Sequence, residues 1–259
     1  MEQHYSSLQG KTALITGCSR LHGIGAAVAR AVAAAGANIA TTYFQPYDHA
    51  MPWASSADEP QQIIEQLQAS GVAAVGIAAD LRDPAAPAAI FDFAAQHLGT
   101  VHILINNAAH STYQDIDTIT ADAIDAHYEV NVRGMILLCQ QFVRRLPEGA
   151  YGRIINLTSG QRQGPMPDEL AYAASKGAVE AFTTSLSGAL APRRITVNAL
   201  DPGITDTGWI TPEQRQSFLS QAPMGRLGQP DDAANLIRFL ASPEAGWITG
   251  QILSSRGGM

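Results

Sequence analysis

Between Lys11 and Ser255 the chain alternates short runs of β-branched and aliphatic residues with longer amphipathic stretches, and few architectures accept that alternation. KTALITG, NIATTYF, VAAVGIAAD, VHILINNAA, RIINLTS, ITVNAL and QILSS read as about seven strands. GIGAAVARAVAAAGA, QQIIEQLQASG, AAIFDFAAQHLG and PDDAANLIRFLAS read as helices, as do longer stretches from about Ile119 to Arg145 and from about Glu169 to Leu190. VHILINNAA has almost no polar residue before Asn106, the habit of a strand covered on both faces in a parallel sheet between helix layers. Right-handed crossovers then build one α/β, doubly wound sheet with helices on both faces. No linker or composition break divides the chain, so residues 1–259 are expected to form one domain behind a polar tail, residues 1–9. Residues 45–60, proline-rich and without period, are long for a strand-to-helix connection and read as an insertion-like loop.

Charge and composition narrow the function. Sixteen Lys and Arg against 23 Asp and Glu give a net charge of −7 without a basic run, which argues against nucleic-acid or membrane-surface partners. The two cysteines, Cys18 and Cys139, lie far apart with no Cys/His ligand spacing, so neither a metal site nor a disulfide scaffold is expected. MEQHYSSLQGK lacks the pattern of a signal peptide and no apolar run approaches a membrane span, so a cytoplasmic protein is expected.

Four groups of residues carry chemistry. TGCSRLHGIG joins the first strand to the first helix, where glycine lets backbone N–H groups approach a pyrophosphate; its spacing, G-x5-G-x-G, departs from the usual G-x-G-x-x-G. Tyr172 and Lys176, four apart in a predicted helix, share one face, and an ammonium there favours the phenolate, making a proton relay of the pair. Ser159 ends the strand RIINLTS at the same sheet edge and is placed to hold a carbonyl oxygen beside the tyrosine. Asn131, polar within the long helix, is placed to bind water or bend the helix.

In this order the residues resemble the short-chain dehydrogenase/reductase family, with members like the 3-oxoacyl carrier-protein reductases, over nearly the whole chain. The markers are Thr16-Gly17 with Gly23-Ile24-Gly25, Asp80, Asn106-Asn107-Ala108-Ala109, Asn131, Ser159, Tyr172 with Lys176, and Pro202-Gly203. The resemblance implies a Rossmann-type sheet and an oxidoreductase moving hydride between a nicotinamide cofactor and a ketone or secondary alcohol. Tyr172 would be the acid or base, Ser159 would position the substrate oxygen, Lys176 would lower the Tyr172 pKa and bind the nicotinamide ribose, and Asn131 would hold a relay water. Gly17, Ser19, Arg20, Gly23, Ile24 and Gly25 would cradle the cofactor, with Tyr43, Asp80 and Leu81 at the adenine end. Asn107, Ala108 and Ala109 would follow its middle, and Pro202, Gly203, Thr205 and Thr207 its nicotinamide side. A homotetramer, or a homodimer, through the helices of residues 119–145 and 169–190 is also implied.

The chain departs from the family in three places: five residues rather than three between the first two glycines, Ala109 for glycine, and Asp201, a carboxylate near the cofactor, for the usual asparagine. The second strand ends near Tyr43 with no acid until Asp48, and Arg20 supplies a cation, so NADP(H) is expected over NAD(H). Residues 203–228 resemble a substrate lid with Trp209, Ile210 and Phe218 as apolar walls, and Gln161, Pro165 and Met166 are further pocket candidates. Two alternatives stay open: an NAD-dependent alcohol, polyol or sugar dehydrogenase, and a non-catalytic nucleotide sensor on the same fold.

Overall fold

The computed structural model describes residues 7–51, 53 and 55–259; residues 1–6 of the predicted tail, and Pro52 and Ala54 of the 45–60 loop, lie outside the described residues. In chain order the strands are β1 (Thr12–Ile15), β2 (Asn38–Tyr43), β3 (Ala74–Ala78), β4 (Ile103–Asn106), β5 (Gly152–Leu157), β6 (Ile195–Asp201) and β7 (Ile252–Ser254). The helices are α1 (Ile24–Ala34), α2 (Gln45–His49), α3 (Glu59–Ala69), α4 (Ala86–Leu98), α5 (Ala121–His127), α6 (Met135–Arg145), α7 (Leu170–Leu190), α8 (Pro212–Gln221) and α9 (Pro230–Ala241).

All seven strands pair in parallel, in the order β3-β2-β1-β4-β5-β6-β7, the Rossmann-type sheet expected. Alternation along the strands divides the core in two. Ala13, Ile15, Ile103 and Ile105 face α1 and α9, while Leu14 and Leu104 face Phe91, Leu138, Phe142 and Val179 of α4, α6 and α7. Cys18 and Cys139 are buried on opposite faces. After β1 the chain builds outward to β3, then returns across the sheet to β4. The carboxyl ends of β1 and β4 therefore flank the crevice where doubly wound sheets take their ligands.

Two expectations are refined. The long helix predicted over residues 119–145 is interrupted: between α5 and α6 the chain makes a π-helical turn, Tyr128–Gly134. Gly134 sits so close to the Asp80–Leu81 turn that a Cβ would lie 3.0 Å from the Leu81 carbonyl oxygen, and the widened turn carries Asn131 to the loop after β4. The insertion-like loop is partly ordered: α2 occupies its start, and α3 begins inside its predicted end. Among the described residues no helix is long and apolar enough to cross a membrane, and no group of His, Cys, Asp and Glu is arranged to hold a metal ion.

Candidate active site

The glycine turn is shaped by close approach. Gly17 has φ of +74°, a left-handed conformation, and a Cβ there would lie 2.8 Å from the Ala108 Cα. Asn107 stitches β1 to β4: its Nδ2 donates to the carbonyl oxygens of Thr16 (2.8 Å) and Gly17 (3.0 Å), while Thr16 Oγ1 accepts from the backbone N–H groups of Asn107 (3.1 Å) and Ala108 (3.0 Å). The two extra residues do not disturb this seam. Leu21 N donates to the Glu59 carboxylate (2.6 Å), pinning the bulge to the head of α3. Gly23 caps α1 without a side chain, so the first N–H groups of the helix remain available to an anion.

Tyr172 lies in the first turn of α7 and Ser159 in the turn after β5, and their hydroxyls are hydrogen-bonded. Burial of the Tyr172 hydroxyl pushes its pKa up; the Ser159 bond works in the opposite direction, while Glu169, Tyr47 and Asp201 add to the rise. The expected lowering by Lys176 is not among the contributions to this shift. Lys176 Nζ lies 5.5 Å from the centre of the Tyr172 ring and donates to the Leu157 carbonyl (2.8 Å), and burial lowers its own pKa to about 8. A nearby ammonium and a hydrogen-bonding serine are the neighbours that an acid–base tyrosine would need.

Asn131 is buried behind this group. Its Oδ1 accepts from His110 N (2.7 Å), and its Nδ2 donates to the His110 carbonyl (2.9 Å) and to Ser175 Oγ (2.9 Å). It ties the π-helical turn to the loop after β4 and to α7. The His110 ring lies between Tyr47, tilted at 5.4 Å, and His127, edge-on at 4.8 Å, and the His127 ring meets Tyr172 edge-on at 6.3 Å. Burial, with help from His127 and Arg82, lowers the His110 pKa to about 4, so this ring is neutral beside the cleft.

At the other end, Asp80 and Arg82 form a two-toothed pair (2.9 and 2.6 Å); burial pushes the Asp80 carboxyl up, but the Arg82 bonds hold it below its ordinary value. Arg82 lies 5.6 Å from the centre of the Phe44 ring. Arg20 already has three partners, on the insertion and the start of the lid: its Nη1 donates to the Thr207 carbonyl (2.7 Å), its Nε pairs with Asp48 (3.4 Å), and its guanidinium stacks 4.4 Å from the Trp53 ring. Asp201, expected to present a carboxylate near the cofactor, is buried instead, because Gly203 N (2.9 Å) and Arg256 Nη1 (2.9 Å) both donate to it.

One cleft of 1340 Å³ runs from Asp80 and Leu81 over Tyr43, Ser19 and the glycine turn to Ser159, Tyr172, Lys176 and the Pro202–Thr207 loop. Its size exceeds that of ordinary small-ligand pockets, and it has room for a dinucleotide with a small substrate beside it. Every residue expected at a cofactor lies on its wall, as do Pro165, Met166, Trp209 and Phe218. Gln161 does not: its amide turns to Thr158 Oγ1 (3.1 Å) and Glu180 (2.7 Å) on α7, since the buried Glu180 carboxylate draws the donor. Ile210 is also off the wall.

Sequence reasoning missed Tyr47, Asp48 and Trp53 of the insertion, as well as His110 and Arg256. For Arg256 a signal was present, because an acid at the end of a largely apolar strand requires a cation. For the insertion none was, since loops lack periodicity.

A family model described as enoyl-(acyl carrier protein) reductase matches residues 17–259. The chain is 47% identical over 255 residues to an uncharacterized oxidoreductase, YjdA, of Bacillus subtilis (strain 168), covering 98% of each. It is 36% identical over 256 residues to 3-oxoacyl-[acyl-carrier-protein] reductase FabG of Pseudomonas aeruginosa, again covering 98% of each. Among solved structures it resembles a short-chain dehydrogenase from Burkholderia cenocepacia J2315 in complex with NADP, at a TM-score of 0.86 and 38% identity, covering 96% of this chain and 98% of that one.

Proposed function

We propose, from the premise that this chain belongs to the short-chain dehydrogenase/reductase family of nicotinamide-dependent oxidoreductases, that it moves hydride between NADP(H) and a ketone or secondary alcohol, with Tyr172 as acid or base. The observation that carries the reading is the convergence of Ser159, Tyr172 and Lys176 on the wall of the cleft that also holds the glycine turn. The dinucleotide, when bound, supplies or accepts the hydride. Ser159 donates a hydrogen bond to the substrate oxygen and orients it. In reduction, the Tyr172 hydroxyl gives its proton to that oxygen; in oxidation, the tyrosinate removes the proton of the alcohol. Lys176, with its pKa near 8, holds a proton that passes readily close to neutrality and stabilises the tyrosinate as it forms. Asn131 fixes the loop that carries His110 and, with a water, extends the relay.

The cleft around the substrate position is largely aromatic and apolar, from Met166, Trp209, Phe218, Tyr47 and the neutral His110, which favours an uncharged carbonyl group on an apolar skeleton. A panel of acyclic, cyclic, benzylic and 3-oxo-thioester ketones and the matching alcohols tests the reading, followed by NADPH absorbance in both directions. No turnover of any member would count against it.

NADP(H) is favoured by the absence of an acid at the end of β2, by the nearby cations Arg20 and Arg82, and by the NADP bound to the Burkholderia relative. A charge-assisted bond to the extra phosphate stabilises by about 1.5–3 kcal/mol, so the KM for NADPH is expected about ten-fold or more below that for NADH. Equal constants, or a preference for NADH, would overturn the assignment.

The assembly we propose is a homotetramer, or failing that a homodimer, through the helices of residues 119–145 and 169–190. Ile124 and Tyr128, each 39% exposed on the first of these, support a covered face. Light scattering should return a mass near four times 27.4 kDa, and a monomer would refute the assembly.

A further inference from the structure

Arg256 stands just after β7 and touches two turns of the site. Ser255 N donates to the Asp201 carbonyl (2.8 Å), so the last strand delivers Arg256 beside the end of β6. The stem packs on Gly203, where a Cβ would lie 2.9 Å from the arginine Cγ. The guanidinium packs on Gly160, the residue after Ser159, where a Cβ would lie 2.6 Å from Nη1. That same Nη1 donates to Asp201 Oδ2 (2.9 Å), and Nε donates to the Met259 carbonyl (3.3 Å). Asp201 in turn accepts from Gly203 N, so carboxylate, arginine and two glycines form one joint between the turn that carries Ser159 and the turn that begins the 203–228 lid.

We propose that Arg256 is a positioning residue for the reaction: it clamps the Ser159–Gly160 turn to the Asp201–Gly203 turn and neutralises the Asp201 carboxylate within electrostatic reach of Tyr172. The proposal rests on Tyr172 being the acid or base. Among the described residues six groups bear on Tyr172: Ser159 after β5, Glu169 at the head of α7, Lys176 one turn along it, His127 of α5, Tyr47 of α2 and Asp201 of β6. Glu169 lines the cleft, open to solvent and substrate, and His127 is buried with its pKa lowered by burial. Asp201 is a buried acid whose charge is cancelled by one side chain, so that side chain governs how far its field reaches the phenol.

Alcohol oxidation needs the tyrosinate, so kcat/KM rises with pH through the Tyr172 limb. It is measured with NADP and the alcohol turned over fastest in the panel. Arg256→Gln leaves Asp201 without its cation, and the limb should move up by about half a pH unit or more. Asp201→Asn leaves the cation without its acid, and the limb should move down. The double variant, Asp201→Asn with Arg256→Gln, removes both charges and should return the limb to the wild-type position. Arg256→Lys, which keeps the charge but not the fork, serves if Arg256→Gln fails to fold; its limb should stay in place while kcat falls several-fold. An Arg256→Gln or Asp201→Asn limb that superimposes on wild type, single variants that shift in the same direction, or an Arg256→Lys enzyme with wild-type kcat overturn the proposal. Tyr172→Phe is measured alongside: retained turnover there overturns the acid/base reading, whereas unshifted limbs with an inactive Tyr172→Phe overturn the clamp alone.

Discussion

Replacing Tyr172 by Phe is expected to lower kcat by about 10²- to 10⁴-fold, the range over which a positioned acid or base acts. On the free-energy scale that is about 3–5 kcal/mol of transition-state stabilisation. The substitution removes one oxygen and keeps the ring, so the edge contact with His127 persists and the Lys176 bond to the Leu157 carbonyl is untouched. Ser159 loses its phenol partner but lies on the cleft wall, where water replaces it. Dinucleotide binding, titrated by NADPH fluorescence, should therefore stay close to wild type while turnover collapses. A sensor that merely binds the nucleotide would show neither the turnover nor its loss. Turnover close to that of wild type in this variant would remove Tyr172 from the chemistry.

Gly25→Ala should sharply weaken dinucleotide binding through a single methyl group. Gly25 is in the first turn of α1, where alanine is ordinarily the better helix former. Here a Cβ would lie 2.5 Å from the Gly17 carbonyl oxygen and 2.8 Å from Asn107 Nδ2. Neither atom is the free end of a flexible side chain: the first is backbone, and the second bonds the Thr16 and Gly17 carbonyls. Relief of the contact has to open the seam between β1 and β4 at the head of α1, at a cost of about 1–3 kcal/mol for overpacking. The loss in affinity should be about ten- to a hundred-fold, with a lower Tm. Wild-type affinity and Tm together would show that the turn has room to spare.

The alternation of apolar runs and amphipathic stretches sufficed for the sheet, because continuous hydrophobic strands such as ILIN have no stable place outside a two-sided core. The site residues were legible for a related reason. Gly17 and Ser159 follow strand ends and Asp201 closes one, and parallel strands end at one edge. What escaped was what depends on distant partners. The π-helical turn arises from the press of Gly134 on Leu81 and the bonds of Asn131 to His110, contacts that no helical periodicity encodes. Gln161 looked free to meet substrate until Glu180, a turn beyond Lys176 on α7, took its amide. Arg20 looked like a spare cation, but its acid is in α2, which follows a different strand.

That arginine gives the three segments it holds a common thermodynamic fate. Its bonds to Asp48 of α2 and to the Thr207 carbonyl, and its stacking on Trp53, join the glycine turn, the insertion and the start of the lid through one side chain. An anion that draws the guanidinium away has to replace all three contacts, so its observed affinity is the net of an exchange rather than the strength of a new bond. Linkage makes the exchange reciprocal: whatever tightens the insertion on Arg20 weakens that anion by the same factor, and whatever binds the anion loosens insertion and lid together.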